Sequence, residues 1–216
     1  MRTRQRLNGI RQFIEQRVCA GREMKTPAPD YDVTKLTMQE PQCFVGYWPM
    51  ELDKNGCMQE IINLSPCVLI MPAQSYAKYV EEQRFDRYSK IYRGQDMGQG
   101  LNVQILLSVY EPGIRLPGFT DGAEAGRISP ELMLDGSEEG LFTLTDWMDD
   151  LIKALLGEKV IPGTDLFLKE ANLNYGLRTD SEGVVDKRPL YYGIINAEFV
   201  GYAEESINKA IEDVLG

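Results

Sequence analysis

The stretch Leu101–Tyr110 sets the tightest constraint on what this chain can fold into. Leu101, Val103, Ile105, Leu107 and Val109 alternate there with Asn102, Gln104, Leu106, Ser108 and Tyr110. Side chains of a strand point to opposite faces in turn, so this period predicts a long strand with one face in a core. Such a face has to be covered by a second layer. Pro112-Gly113 closes the strand.

Other segments supply partners for it. Strands are predicted at Cys43–Trp48, Met58–Leu64 and Cys67–Met71, with Asp53-Lys54-Asn55-Gly56 as a turn that makes the first two an antiparallel pair. Asp165–Leu177 and Leu190–Tyr202 flank Thr179-Asp180-Ser181-Glu182-Gly183 and read as a long hairpin. Ser75–Gly94 mixes Tyr76, Tyr79, Phe85, Tyr88 and Tyr92 with alternating charges and follows neither period. From Pro112 to about Gly140 the turn pairs Pro117-Gly118, Asp121-Gly122 and Asp135-Gly136 predict a projecting loop, longer than compact domains usually carry without a use.

Helices are expected at three places. Leu7, Ile10, Phe13, Ile14 and Val18 recur at helical spacing from about Thr3 to Val18. Thr145–Leu156 has Thr145 as N-cap, Asp146 in the first turn and Gly157 past the end, with Trp147, Met148, Leu151, Ile152, Leu155 and Leu156 as its apolar stripe. Glu204–Leu215 places Ile207, Ala210, Ile211, Val214 and Leu215 on one face. Between Met24 and Pro41 the chain is polar and carries Pro27, Pro29 and Pro41, which predicts a connector that leaves the first helix free to dock on its own body or on a neighbour.

The fold class expected from this order is α+β: a mostly antiparallel sheet of about four to five strands covered by two helices, plus an N-terminal helical arm and long loops. Residues 1–26 form the arm and residues 27–216 a single domain, with insertions at about 73–100 and 112–141. A chain of 216 residues suits one sizeable core. No apolar run reaches the roughly 18–20 residues that cross a bilayer, and the polar start Met1-Arg2-Thr3-Arg4-Gln5-Arg6 is unlike an apolar signal core. Neither a membrane span nor conventional export is expected. Cys19, Cys43, Cys57 and Cys67 contain no CxxC pair and are irregularly spaced, so free buried thiols are expected.

Net charge is -10, unevenly spread. Residues 1–26 hold seven Lys/Arg against Glu15 and Glu23, a balance of +5 that leaves -15 on the rest. An acidic body repels nucleic acid and anionic lipid, so a polyanion would have to meet the N-terminal segment.

Few catalytic schemes fit this composition. The chain has no histidine, which excludes Ser-His-Asp and Cys-His nucleophile systems and His-containing zinc sites. Gly94-Gln95-Asp96-Met97-Gly98-Gln99-Gly100 precedes a strand and matches no phosphate-binding glycine motif. Carboxylates could form an acid/base pair, with Asp149-Asp150 or Glu198 as candidates, but Asp146, Asp149 and Asp150 lie on the polar side of an amphipathic helix. Asp121, Glu124, Asp135, Glu138 and Glu139 lack the EF-hand order and read as solvated loop charge. No catalytic, cofactor-binding or metal residue is assigned, and a non-enzymatic role is expected.

Interface chemistry is better represented. Arg2, Arg4, Arg6 and Arg11 could contact phosphates or the acidic surface of a neighbouring subunit, and the acidic body favours the subunit. Tyrosine and arginine dominate interface hot spots, so Tyr79, Arg84, Tyr88 and Tyr92 join Arg4, Arg6, Arg11 and Phe13 as candidate interface residues. Aromatic packing of a long insertion onto its own chain explains the tyrosines equally well.

Three segments carry a resemblance. Leu101-Asn102-Val103-Gln104-Ile105-Leu106-Leu107-Ser108-Val109-Tyr110-Glu111-Pro112-Gly113, the helix Thr145–Leu156 and the strand Arg188-Pro189-Leu190-Tyr191-Tyr192-Gly193-Ile194-Ile195-Asn196-Ala197-Glu198-Phe199 together resemble tail terminator or neck proteins of tailed bacteriophages or prophages of Gram-positive bacteria. With the elements between them they span about half the chain. The resemblance implies a ring subunit, six-fold in the terminator, that caps the tail tube, joins the neck and sits in the virion after assembly in the bacterial cytoplasm. It implies no cofactor, and DNA that passes without specific binding. The chain departs from that pattern in its basic N-terminal helix, its tyrosine-rich insertion and its long loop after Pro112. A neck adaptor, a tail completion protein or a baseplate component would use the same physics, and a small binding or regulatory protein or a carboxylate-dependent hydrolase stays open.

Overall fold

The computed structural model describes residues 2–26, 37–47, 50–52, 58–60, 64–73, 76–80, 96–112, 130–181, 183–185 and 189–202. The alternation at Leu101 belongs to strand β8 (Asp96–Tyr110), which pairs antiparallel along most of its length with β13 (Leu190–Tyr202), Leu190 opposite Tyr110 and Tyr202 opposite Gly98. On its other side β8 pairs antiparallel with β6 (Cys67–Pro72) and, nearer its start, with β7 (Tyr76–Val80). At one edge of the sheet β3 (Gln42–Val45) runs parallel to β6. At the other, β9 (Phe167–Leu168) and β10 (Asn174–Leu177) both pair with β13. The class is α+β, with a mostly antiparallel sheet.

One face of this sheet is covered by two helices. Helix α1 (Thr3–Ile14) continues through a π-helical turn, Glu15–Cys19, and ends where Gly21 takes φ 76, the left-handed conformation that favours glycine after a helix. Helix α2 spans Pro130–Glu158. Leu7, Ile10, Phe13, Ile14 and Val18 from the first, and Leu144, Trp147, Met148, Leu151 and Leu155 from the second, form one core with Leu101, Val103, Ile105, Leu107 and Val109. At Gly193 a Cβ would lie 2.3 Å from Met148 Sδ, so this glycine lets α2 sit close on β13.

Several expectations need correction. The apolar face of the first helix is not available to a neighbour: it is packed into its own core, and the pair covering the sheet is α1 and α2. The Glu204–Leu215 helix lies outside the described residues. Thr145 is no N-cap, because α2 begins fifteen residues earlier at Pro130. Its Oγ1 instead donates back within the helix, with Leu141 O at 3.1 Å and Phe142 O at 3.0 Å as acceptors. Gly157 lies inside the helix, and Lys159, at φ 54, follows its end. The stretch expected as a projecting loop is therefore helical from Pro130 onward; residues 113–129 are not described.

The strands differ in pairing as well. Among the described residues, Cys43–Val45 and Met58–Glu60 are not paired with each other as a hairpin. A separate antiparallel pair, β4 (Met50–Leu52) and β5 (Met58–Glu60), flanks that turn, while β3 joins the main sheet because Cys43 and Val45 pack with the core beneath α1. The connector after α1 begins and ends in another short pair, β1 (Met24–Thr26) and β2 (Thr37–Gln39). The Asp165–Tyr202 hairpin is present, but its first arm is broken by a 3-10 turn at Glu170–Asn172, and a small pair, β11 (Thr179–Asp180) and β12 (Gly183–Val184), stands near its tip.

Candidate functional site

The N-terminal cations were expected to reach a neighbour, and four of the seven meet carboxylates of their own body. Arg6, 1% exposed, donates from Nε to Asp165 Oδ1 at 3.0 Å and from Nη2 to Asp165 Oδ2 at 2.6 Å. Arg17 pairs with Glu158, Arg22 with Asp150, and Lys25 Nζ with both oxygens of the buried Glu111 at 2.6 Å. Arg6 and Asp165 form the two-pronged geometry that guanidinium and carboxylate favour. Burial pushes the Asp165 carboxyl up, but hydrogen bonds from Arg6 and its charge outweigh this and hold the group below the usual carboxylate range. The more exposed Arg17–Glu158 pair contributes little by comparison.

Shape reinforces this seam. A Cβ on Gly9 would lie 2.1 Å from Thr164 Cγ2, and one on Gly201 would lie 2.7 Å from Arg6 Nη2. Helix α1 is thus seated on the turn after α2, where Thr164 Oγ1 donates to Ile161 O at 2.8 Å and accepts from Leu166 N at 3.1 Å. Arg6 lies against the far end of β13.

The candidate interface residues therefore separate. Arg6 and Phe13 are internal, which corrects their assignment: the guanidinium is held by Asp165 and the ring is in the core. Arg11 lies 3.7 Å from Glu15 on its own helix, and Arg4 is exposed. Tyr79 lies on β7, while Arg84, Tyr88 and Tyr92 fall outside the described residues.

Exposed apolar groups occur at both sheet edges. Tyr175 on β10 is 58% exposed and Phe167 on β9 is 46% exposed, and Val160, which bridges Phe167, is also uncovered. Past β3 at the opposite edge, Tyr47 is 92% exposed. None of these residues stands out in the sequence, because single aromatics in short strands leave no periodic signal.

The carboxylates considered for acid/base work do not converge. Ala197 and Phe199 belong to the helix-covered core, so Glu198 between them points to the other face of the sheet. There Lys169 Nζ donates to its Oε1 at 2.9 Å and Asn172 Nδ2 donates to its Oε2. Asp150 lies in the helical layer against Arg22, and Asp146 and Asp149 are exposed. Glu138 and Glu139 are exposed on α2, and among the described residues no group of three His, Cys, Asp or Glu side chains is placed to hold a metal ion. Among the same residues, no helix is long and apolar enough to cross a membrane.

Cys19, Cys43 and Cys67 are free and buried, as expected for the thiols that are described. The sequence reading missed that Cys19 Sγ and Cys43 Sγ lie 3.6 Å apart. That hydrogen bond and burial together push the Cys43 thiol far up, and burial pushes Cys67 up to about 12, opposed in part by a hydrogen bond with Ser65. Neither the comparison with protein-family models nor that with curated proteins finds a match for the chain.

Proposed function

We propose that this chain is a structural subunit of a phage tail or tail-like particle, acting in the tail terminator ring that caps the tube and meets the neck. The observation that supports the reading is the presence of two unlike, partly apolar sheet edges on one body. The β9–β10 edge presents Phe167 and Tyr175, and the β3 edge leads to Tyr47. A closed ring requires two different patches that meet head to tail around an axis. Aromatic side chains at such patches are typical anchors. The N-terminal helix, held within its own subunit, contributes rigidity and not the ring contact. With Arg6, Arg17, Arg22 and Lys25 matched internally, the remaining charge is acidic, which lets DNA pass a ring lumen without sticking.

Light scattering behind size exclusion on the full chain tests this. A single closed oligomer is expected, converted to monomer by Tyr175→Glu and by Tyr47→Glu while each variant keeps its thermal transition. A wild-type chain that remains monomeric at every concentration, alone and with tail-tube protein, would refute the ring and favour a small binding or regulatory protein.

A further inference from the structure

We infer that Cys19 and Cys43 are a redox-active pair, and that their oxidation to a disulfide staples the end of the first helix to the β3 edge of the sheet. Cys19 closes the π-helical turn that follows α1, and Cys43 lies on β3, with Sγ atoms 3.6 Å apart. No other element needs to move between them: both side chains belong to the same core, 2% and 8% exposed. The pairing is also selective. Cys43 shares the helix-covered face with Val45, whereas Cys67 alternates with Val68 and Ile70 of that core and points to the opposite face, where Ser65 is its hydrogen-bond partner.

The chemistry balances with a peroxide as oxidant. One thiolate attacks a peroxide oxygen, forming an S–O bond as the O–O bond breaks, and hydroxide leaves and takes up a proton to become water. The second thiol sulfur then displaces the sulfenic oxygen, forming the S–S bond and releasing a second water. Two thiols and one hydrogen peroxide thus give one disulfide and two waters. The hydrogen bond with Cys19 and burial hold Cys43 as the thiol, with the charges of Glu15 and Cys67 acting in the same direction. The cross-link closes a loop between positions 24 apart in sequence, which restricts the unfolded chain more than the folded one.

The test treats the native full-length protein with hydrogen peroxide, alkylates it in denaturant, and reads intact mass and peptide maps. The expected product has lost two hydrogens, protects Cys19 and Cys43 from alkylation, yields a single cross-linked peptide pair, and melts roughly 5–15 °C higher until dithiothreitol reverses it. In Cys43→Ser, Cys19 should lose its protection. Oxidation confined to Cys57 or Cys67 with Cys19 and Cys43 both alkylated overturns the inference, as does protection of Cys19 that persists in Cys43→Ser. A cross-link between chains in place of one within the chain overturns it too.

Discussion

Removing residues 1–26 separates a detachable arm from a piece of the core. That segment contributes seven buried apolar side chains: Leu7, Ile10, Phe13, Ile14, Val18, Cys19 and Met24. At about 1.5–3 kcal/mol for each fully buried side chain, their loss amounts to roughly 10–20 kcal/mol, an upper bound because unfolded chains already bury part of this surface. Whole domains of this kind are stable by only about 5–15 kcal/mol. Truncation also strips Lys25 from Glu111, whose carboxylate is 5% exposed, and Arg6 from Asp165. An apolar loss of this size is comparable with the whole stability available, and with the stripped ion pairs added the chain lacking residues 1–26 should not fold. Far-UV circular dichroism should show no cooperative melt, and an apolar dye such as ANS should bind strongly at room temperature. A truncated chain with a sharp transition within a few degrees of wild type would refute the reasoning and restore the helix as an arm. Any loss of oligomer on such a truncation would report unfolding, so the ring is better tested by Tyr47 and Tyr175.

Further outcomes follow from packing and charge. Asp165→Ala removes the two-pronged carboxylate partner of the buried Arg6 guanidinium and should cost up to about 5 kcal/mol by urea denaturation, whereas the double change with Arg6→Met should recover most of that loss. Because the folded pKa of Asp165 lies below its unfolded value, its stabilisation is complete above the unfolded pKa near 4 and is lost as pH falls through the folded value, so the gap between wild type and Asp165→Ala should narrow in acid. Gly140→Ala should destabilise by up to about 2 kcal/mol, since its Cβ would lie 2.3 Å from the Tyr191 ring, while Gly157→Ala, with nothing within 4 Å and a place in the last turn of α2, should stabilise by about 0.5–1 kcal/mol. Thermal denaturation of both variants checks the sign, and equal gains would show that α2 and β13 are not in close contact there.

Local patterns were legible wherever a period ran long enough. The alternation at Leu101–Tyr110 named the five residues that face the helices, and the stripes of both described helices named most of their buried sides, although Leu156, expected in the second stripe, is exposed and Ile152 is half-buried. The second face of β8 was less legible. Asn102 and Gln104 keep it polar at one end, but Leu106, Ser108 and Tyr110 are buried at the other, where Leu106 packs with Leu69 and Tyr192 and Ser108 Oγ meets Ser65 Oγ at 2.5 Å. Alternation alone cannot distinguish a solvated face from one that the chain later covers. Thr145 misled for a related reason: its hydroxyl suits an N-cap and equally bonds back inside a helix, and the burial of Leu144 one residue earlier carries α2 through it.

By itself, the sequence determined which faces are apolar, that the class is α+β, and that histidine chemistry is absent. Only the tertiary structure decided what each face meets. Apolar attraction has no direction and charge pairing depends on distance, so a basic, amphipathic helix reads the same whether its partner is a neighbour or its own chain. Gly9, Gly193 and Gly201, by letting backbone and side chain approach closely, turn that helix and its companion onto one sheet. The same folding brings Cys19 and Cys43 into contact across a separation that no spacing rule in the sequence would connect.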